Sequence, residues 1–256
     1  MTKLSLSFLA FWAFAGLLCV SSLSSLGQKT SPDWTVDNFR WTGVLAPETA
    51  IEVLNPYGDV RLRAADAGEV EVSAMIQRRT SDPVKPEVRL GRRRGRLTVQ
   101  VDYPAKPLGD LHRVDVAVFV PAGARVAVRT KDGMIQANGL ENDVEIESAG
   151  GNVFLTTTGT ARVSAGRGDI SAELRRDHWG RTPRLTTREG DITLRLPKDA
   201  DARVQIQAPG EISVGKDARL ERRTAGKAVA IFGQGTHQLS LETQRGKVIL
   251  LSPAAH

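Results

Sequence analysis

Cysteine is almost missing from this chain. Its 256 residues include one, Cys19, so neither an internal disulfide framework nor a cysteine zinc site can be assembled. Histidine is scarce: His112, His178, His237 and His256 stand far apart, with no short-spaced pair to hold a metal. No segment has the pattern of a nucleophile elbow or a phosphate-cradling loop. Only one long apolar run exists, Leu4 to Val20, which excludes a protein with several membrane spans. After that run no stretch shows a 3.6-residue apolar period with caps, so little or no helix is expected. Aromatics make up 5%, and none is interleaved with the basic run. That absence, together with expected export, argues against nucleic acid as a partner. What the chain does have is 41% hydrophobic and 25% charged residues, a globular balance that excludes a disordered tail.

The single apolar run reads as an address. Lys3 precedes it, a polar stretch from Ser21 to Ser25 follows, and Ser25 and Gly27 place small residues at −3 and −1 of a cleavage site. Basic start, apolar middle and small-residue exit are the parts of a secretory signal peptide. A retained anchor is the rival, but a run of about 17 residues is at the short limit for spanning. A lipid-modified Cys19 fails on the bulky Leu18 before it. Residues 1–27 are therefore expected to be removed, leaving an exported chain without cysteine or transmembrane span. Its expected location is the periplasm, the cell surface or the medium.

One pattern then recurs: apolar, x, apolar, x, small-polar, x, x, Gly, Asp/Asn, apolar, x, apolar. It runs from Ile51 to Leu62, from Val126 to Ala137 and from Val144 to Leu155. Further copies carry Gly168-Asp169-Ile170, Gly190-Asp191-Ile192 and Gly246-Lys247-Val248, and a shortened one has Gly210-Glu211-Ile212. From Gly133 to Gly210 the intervals are 18, 17, 22 and 20 residues, and the step to Gly246 is 36, close to two of them. Each copy is two period-2 strands around a glycine corner, where glycine supplies the positive φ of a tight turn. One such unit cannot bury its apolar face, but stacked units can. A β-sandwich of hairpins would also show evenly spaced strands. Recurrence of the whole motif favours a β-solenoid. A strand-Pro-loop-strand unit around Pro121 is repeated around Pro197, in keeping with proline ending a ladder.

The expected fold is all-β: a β-solenoid of short strands over residues 111–252, with a less regular β region, 28–110, capping the stack as part of one continuous domain. Val88 to Leu90 and Arg96 to Val101 form the arms of a hairpin through Gly91 to Gly95. Trp34, Phe39 and Trp41 are expected to cover the open end, since solenoids must hide apolar ends and strand edges. A carbohydrate-stacking platform is the functional alternative for these rings.

The segment from Asp37 to Pro47, with Phe39, Trp41 and Gly43, and the Asn55-Pro-Tyr-Gly-Asp-Val60 corner resemble the start of the bacterial "putative adhesin" domain of unknown function. The Val120-Pro-Ala-Gly123 segment and later Gly-Asp-Ile units are similar to the body of that family, so the resemblance covers nearly all of 37–251. It implies an exported β-solenoid-like domain and offers no catalytic residues.

Three constellations could carry chemistry. The column of Asp59, Asn152, Asp169 and Asp191 would align in a stack, and oxygen lines attract Ca²⁺. Its spacing is twice that of calcium-binding rolls, and Met134 and Lys247 interrupt it, so turn chemistry is the reading adopted. Asp177-His178-Trp179 lies in a loop, Arg175 to Arg184, that breaks the repeat; an acid–His pair without a nucleophile is no catalytic site. Arg92, Arg93, Arg94 and Arg96, near Arg89, form the candidate ligand site, because arginine forks suit carboxylates and phosphates. No catalytic residue, metal or cofactor is expected. The expected function is a non-enzymatic envelope or surface interaction module whose partner is not specified by the sequence. An anionic polysaccharide is one partner those arginines would suit, and self-assembly into a scaffold is the alternative.

Overall fold

The computed structural model describes residues 34–251, except 47, 66–67, 104–110 and the side chains of 222–223. The expected signal peptide, 1–27, lies outside the described residues. In chain order the strands begin with β1 (Trp34–Val44), β2 (Ala50–Leu54), β3 (Val60–Ala64), β4 (Glu69–Arg79), β5 (Glu87–Arg93), β6 (Arg96–Asp102) and β7 (His112–Val120). Next come β8 (Arg125–Thr130), β9 (Ile135–Leu140), β10 (Val144–Gly150), β11 (Val153–Thr157), β12 (Ala161–Arg167), β13 (Ile170–Leu174) and β14 (Arg184–Glu189). The last are β15 (Ile192–Arg195), β16 (Ala202–Gln207), β17 (Ile212–Val214), β18 (Arg219–Thr224), β19 (Lys227–Ile231), β20 (His237–Arg245) and β21 (Val248–Leu251). No described residue is helical, so no described helix is long and apolar enough to cross a membrane.

Alternation decides which way each side chain faces. In β10, Val144, Ile146, Ser148 and Gly150 are buried while Glu145, Glu147 and Ala149 are exposed. Equivalent residues then lie side by side on neighbouring strands. Val128, Ile146, Val163, Leu185 and Leu241 form one inward column in register. Val60, Ile135, Val153, Ile170, Ile192 and Val248 form another. These columns join one apolar core, to which each fully buried Val, Leu or Ile contributes about 1.5–3 kcal/mol.

The strands make two sheets. The first, of ten strands, runs β1-β4-β7-β3-β9-β11-β13-β15-β21-β17; the second, of eleven, runs β18-β19-β16-β20-β14-β12-β10-β8-β2-β6-β5. From β7 to β17 and from β16 to β6 every neighbour is parallel. Each rung therefore puts one strand in the second sheet and, after a corner, the next in the first. This is the all-β solenoid the repeats imply.

The rungs are not stacked in chain order. Spatially they run β6/β7, β2/β3, β8/β9, β10/β11, β12/β13, β14/β15, β20/β21 and β16/β17. Residues 50–64, expected within the cap, are a rung in the body of the stack. Near the other end, the last strands are inserted between β14/β15 and β16/β17. The 36-residue step from Gly210 to Gly246 holds no missing rung of the regular kind. It contains the antiparallel hairpin β18–β19, laid on β16, before the chain turns back inward. Antiparallel strands finish the opposite end: β4 and β1 extend the first sheet beyond β7, and β5 extends the second beyond β6. Phe39 and Trp41 pack on the core from β1, whereas Trp34 faces outward and is 40% exposed.

Candidate functional site

The glycine corners lie directly above one another. A Cβ on Gly133 would stand 2.0 Å from the carbonyl oxygen of Gly58, one on Gly151 2.2 Å from that of Gly133, and one on Gly168 2.2 Å from that of Gly151. The same relation carries Gly190, Gly246 and Gly210 in turn. At Gly58, Gly133, Gly151, Gly168, Gly190 and Gly246 φ lies between 102° and 159°, a region L residues seldom adopt. The adjoining acids complete a ladder. The Asp169 N–H donates to Asn152 Oδ1, the Asp191 N–H to Asp169 Oδ1, and the Lys247 N–H to Asp191 Oδ1, at 2.8–2.9 Å. Near the β1 end, the Asp59 N–H donates to Asp115 Oδ1 and the Met134 N–H to Asp59 Oδ1. Met134 has no side-chain oxygen, and the ladder breaks there. Arg113 bridges Asp59 and Asp115 at 2.9 Å each; burial works against its charge, and the two carboxylates outweigh burial and raise its pKa. Inside the corner, Asn55 donates to Gly58 and Val114, Ser148 to Gly150, Thr187 to Gly168 and Thr243 to Gly190. That bonding accounts for the small polar residue in these copies, whereas the Thr130 hydroxyl, at the same place before Gly133, is buried without a partner. These oxygens bond to backbone, and no group of three or more metal-ligating side chains occurs among the described residues.

The Arg-rich hairpin is present but turns later than expected. β5 continues to Arg93, and Arg94 (φ 40°) and Gly95 (φ 73°) form the two-residue turn. The hairpin does not bring all four candidate arginines to one place. Arg92 leans over the Trp41 ring at 5.0 Å and donates to the Val44 carbonyl oxygen at 2.9 Å. It ties the edge of the second sheet to the edge of the first while remaining exposed, and it stands before the tip. Arg93 stands opposite Arg96 and lines a hollow on one flank with Arg89, Arg94 and Arg96, so three of the four candidates do come together. Arg94 and Arg96 line an open groove of about 430 Å³ on the outer face of the second sheet.

That groove crosses the strand starts from β6 through β2, β8, β10 and β12. Arg94, Arg96, Arg125, Arg129, Arg162 and Arg181 line it, together with Glu48, Glu52, Asp143 and Glu145. Two of the arginines are engaged: Glu52 bridges Arg96 and Arg129, and Arg129 also reaches Glu147 at 2.9 Å. The bond to Glu147 and its charge, aided by Glu52, raise the Arg129 pKa. Arg94, Arg125, Arg162 and Arg181 form no ion pair among the described residues. Sequence reasoning missed Arg125, Arg162 and Arg181. For Arg125 and Arg162 the signal was outward parity near strand starts, visible only once rungs are aligned in space; Arg181 lies on a loop and carried no such signal.

The histidine candidates stay apart. His178 is exposed and bonds Asp177 at 3.2 Å, while the second Asp177 oxygen accepts the Asp201 N–H. Burial opposes ionisation of Asp177, but the bond from His178 and those from backbone lower its pKa overall. Among the described residues no serine, threonine or cysteine side chain is hydrogen-bonded to this pair. Trp179 instead packs edge-on to His237 at 6.3 Å. His112 is buried and bonds the Val84 carbonyl. Tyr103, its phenol pushed up by burial, donates to the Tyr57 carbonyl and accepts the Val114 N–H, sealing the first corner.

Fold and corner together define a two-sheet β-solenoid with a glycine–aspartate spine. The chain belongs to the Toastrack DUF4097 family, whose pattern matches residues 96–250. Among solved structures, a "putative cell adhesion protein" from Clostridium sporogenes is similar at 11% identity and a TM-score of 0.49, covering 85% of this chain and 100% of its own. A "putative adhesin" from Bacteroides fragilis is similar at 14% identity and a TM-score of 0.43, covering 84% and 97%. No curated protein matches the sequence.

Proposed function

We propose that this Toastrack protein is an exported, non-enzymatic interaction module of the cell envelope or surface, a rigid stack displaying its outer faces to a partner. The observation that carries the reading is the groove on the second sheet. Four arginines without an ion pair among the described residues, Arg94, Arg125, Arg162 and Arg181, converge on it from three strands or turns and one loop. Unneutralised guanidinium groups on a backbone held by parallel ladders are prepared to receive an anion at little ordering cost. The leader-like residues 1–27 support export. To test it, the tagged chain is expressed with its leader, cell fractions are probed, and the recovered protein is incubated with native envelope material. The expected result is export and salt-sensitive retention of an anionic component that is recovered unchanged. A chain that stays inside the cell, or that cleaves the retained component, would contradict the reading.

A further inference from the structure

Taking that reading as its basis, we propose that the groove binds a linear polysaccharide with one carboxylate per disaccharide. The second sheet places β6, β2, β8, β10 and β12 next to one another. Arg96 stands on β6, Arg125 on β8 and Arg162 on β12, so the cations recur on every second strand. With strands about 4.8 Å apart, that is a cation roughly every 10 Å. The strands between them, β2 and β10, carry Glu52 and Glu145 into the same groove. Arginine and glutamate thus alternate from strand to strand in a zigzag: Arg96 and Arg125 share one row, and Glu52, Glu145 and Arg162 share a second row two residues further along. Arg94 on the turn and Arg181 on the 175–183 loop add cations beyond this row.

An extended sugar chain laid across the strands advances by about one strand spacing per residue. On a chain running obliquely, two strands across and two residues along, a uronic acid on every second sugar then meets Arg125 and Arg162 in turn. The neutral sugar between them offers hydroxyl donors to Glu145. Both arginines are exposed and present a planar fork suited to a carboxylate. An acid on every sugar would set carboxylates against Glu52 and Glu145, and so would the closely spaced phosphates of a nucleic acid. Like charges at that range repel, so the alternation selects against dense polyanions as well as for sparse ones.

The test is affinity electrophoresis of the purified exported protein against three probes: hyaluronan, with one carboxylate per disaccharide; polygalacturonate, with one on every sugar; and single-stranded DNA. Hyaluronan is expected to bind tightest. Arg125→Ser with Arg162→Ser should weaken it about tenfold or more. Arg63→Ser, on the first sheet, should leave it unchanged, and thermal melts should show all variants folded. Equal or tighter binding of polygalacturonate or DNA overturns the proposal, as does a double variant that binds like wild type. If the protein retains envelope material but not hyaluronan, the groove assignment fails and the module reading stands. If hyaluronan is bound and cleaved, the module reading fails and the groove assignment stands.

Discussion

Replacing Gly168 by alanine should be among the most damaging single-methyl changes available in this molecule. The new Cβ would stand 2.2 Å from the Gly151 carbonyl oxygen and 2.6 Å from its carbon, both backbone atoms. Relieving that overlap parts two rungs by about 1 Å at the corner, given ordinary contact distances. Parting them stretches the bond from the Asp169 N–H to Asn152 and the bond from the Val153 N–H to the Asp169 carbonyl, both now 2.9 Å. Forcing alanine to φ near +130° adds strain. Two weakened hydrogen bonds and one residue in a glycine-only region together cost about 2–6 kcal/mol. A domain of this kind has a total stability of about 5–15 kcal/mol. Gly123→Ala is the control: φ is +79°, but nothing lies within 4 Å of its Cβ, so backbone strain of about 1–2 kcal/mol is the whole effect. Urea unfolding followed by far-ultraviolet circular dichroism compares the two. If Gly168→Ala costs no more than Gly123→Ala, stacking of the corners is not what makes glycine necessary there.

Three other outcomes follow from the same geometry. Met134→Asn supplies the missing oxygen for the Asn152 N–H and should stabilise the protein by about 0.5–1.5 kcal/mol; a lowered melting temperature would count against the ladder's role. Arg92→Ala removes a cation–π contact and a hydrogen bond to Val44, costing about 1–2 kcal/mol and speeding amide exchange in β1; lost ligand binding at unchanged stability would instead make Arg92 a site residue. Asp201 is held below its ordinary pKa by the Thr236 hydroxyl and then the Thr236 N–H, and Asp177 by bonds that overcome burial. Their stabilising contribution is present above the unfolded carboxylate pKa, about 3.9, and disappears as pH falls through the lower folded values. Exchange around 177 and 201 should therefore quicken only below about pH 4, and quickening already at pH 6 would refute the assignment.

The repeat was legible because each copy spells out its own corner. Glycine, the following acid and the flanking alternation are all local, and the small polar residue before the corner marks a bond the structure then shows at Asn55, Ser148, Thr187 and Thr243. The order of rungs was not legible. Ile51 to Leu62 carries the motif as clearly as Val126 to Ala137, yet nothing in either segment states that β6/β7 will lie on its far side. That pairing is decided by which exposed ladder is left open, a property of the assembled sheets. The groove was half legible for the same reason. The run from Arg92 to Arg96 stands out in the sequence, but alternation along β5 sends Arg92 to Trp41 while Arg93, Arg94 and Arg96 stay together. Arg125 and Arg162 are ordinary outward positions until the β2 rung is slotted between β6 and β8.

The interleaving of β20/β21 also bears on how the chain matures. The β16/β17 rung and its β18–β19 hairpin leave the ribosome before the strands that must lie between them and β14/β15. Until β20 and β21 emerge, the stack has a gap that its neighbours cannot close without changing register. Synthesis broken off before His237 yields a product with two open ladders, marked for proteolysis or aggregation rather than a shorter working version. The β20/β21 rung is a keystone, set between rungs that are both made before it.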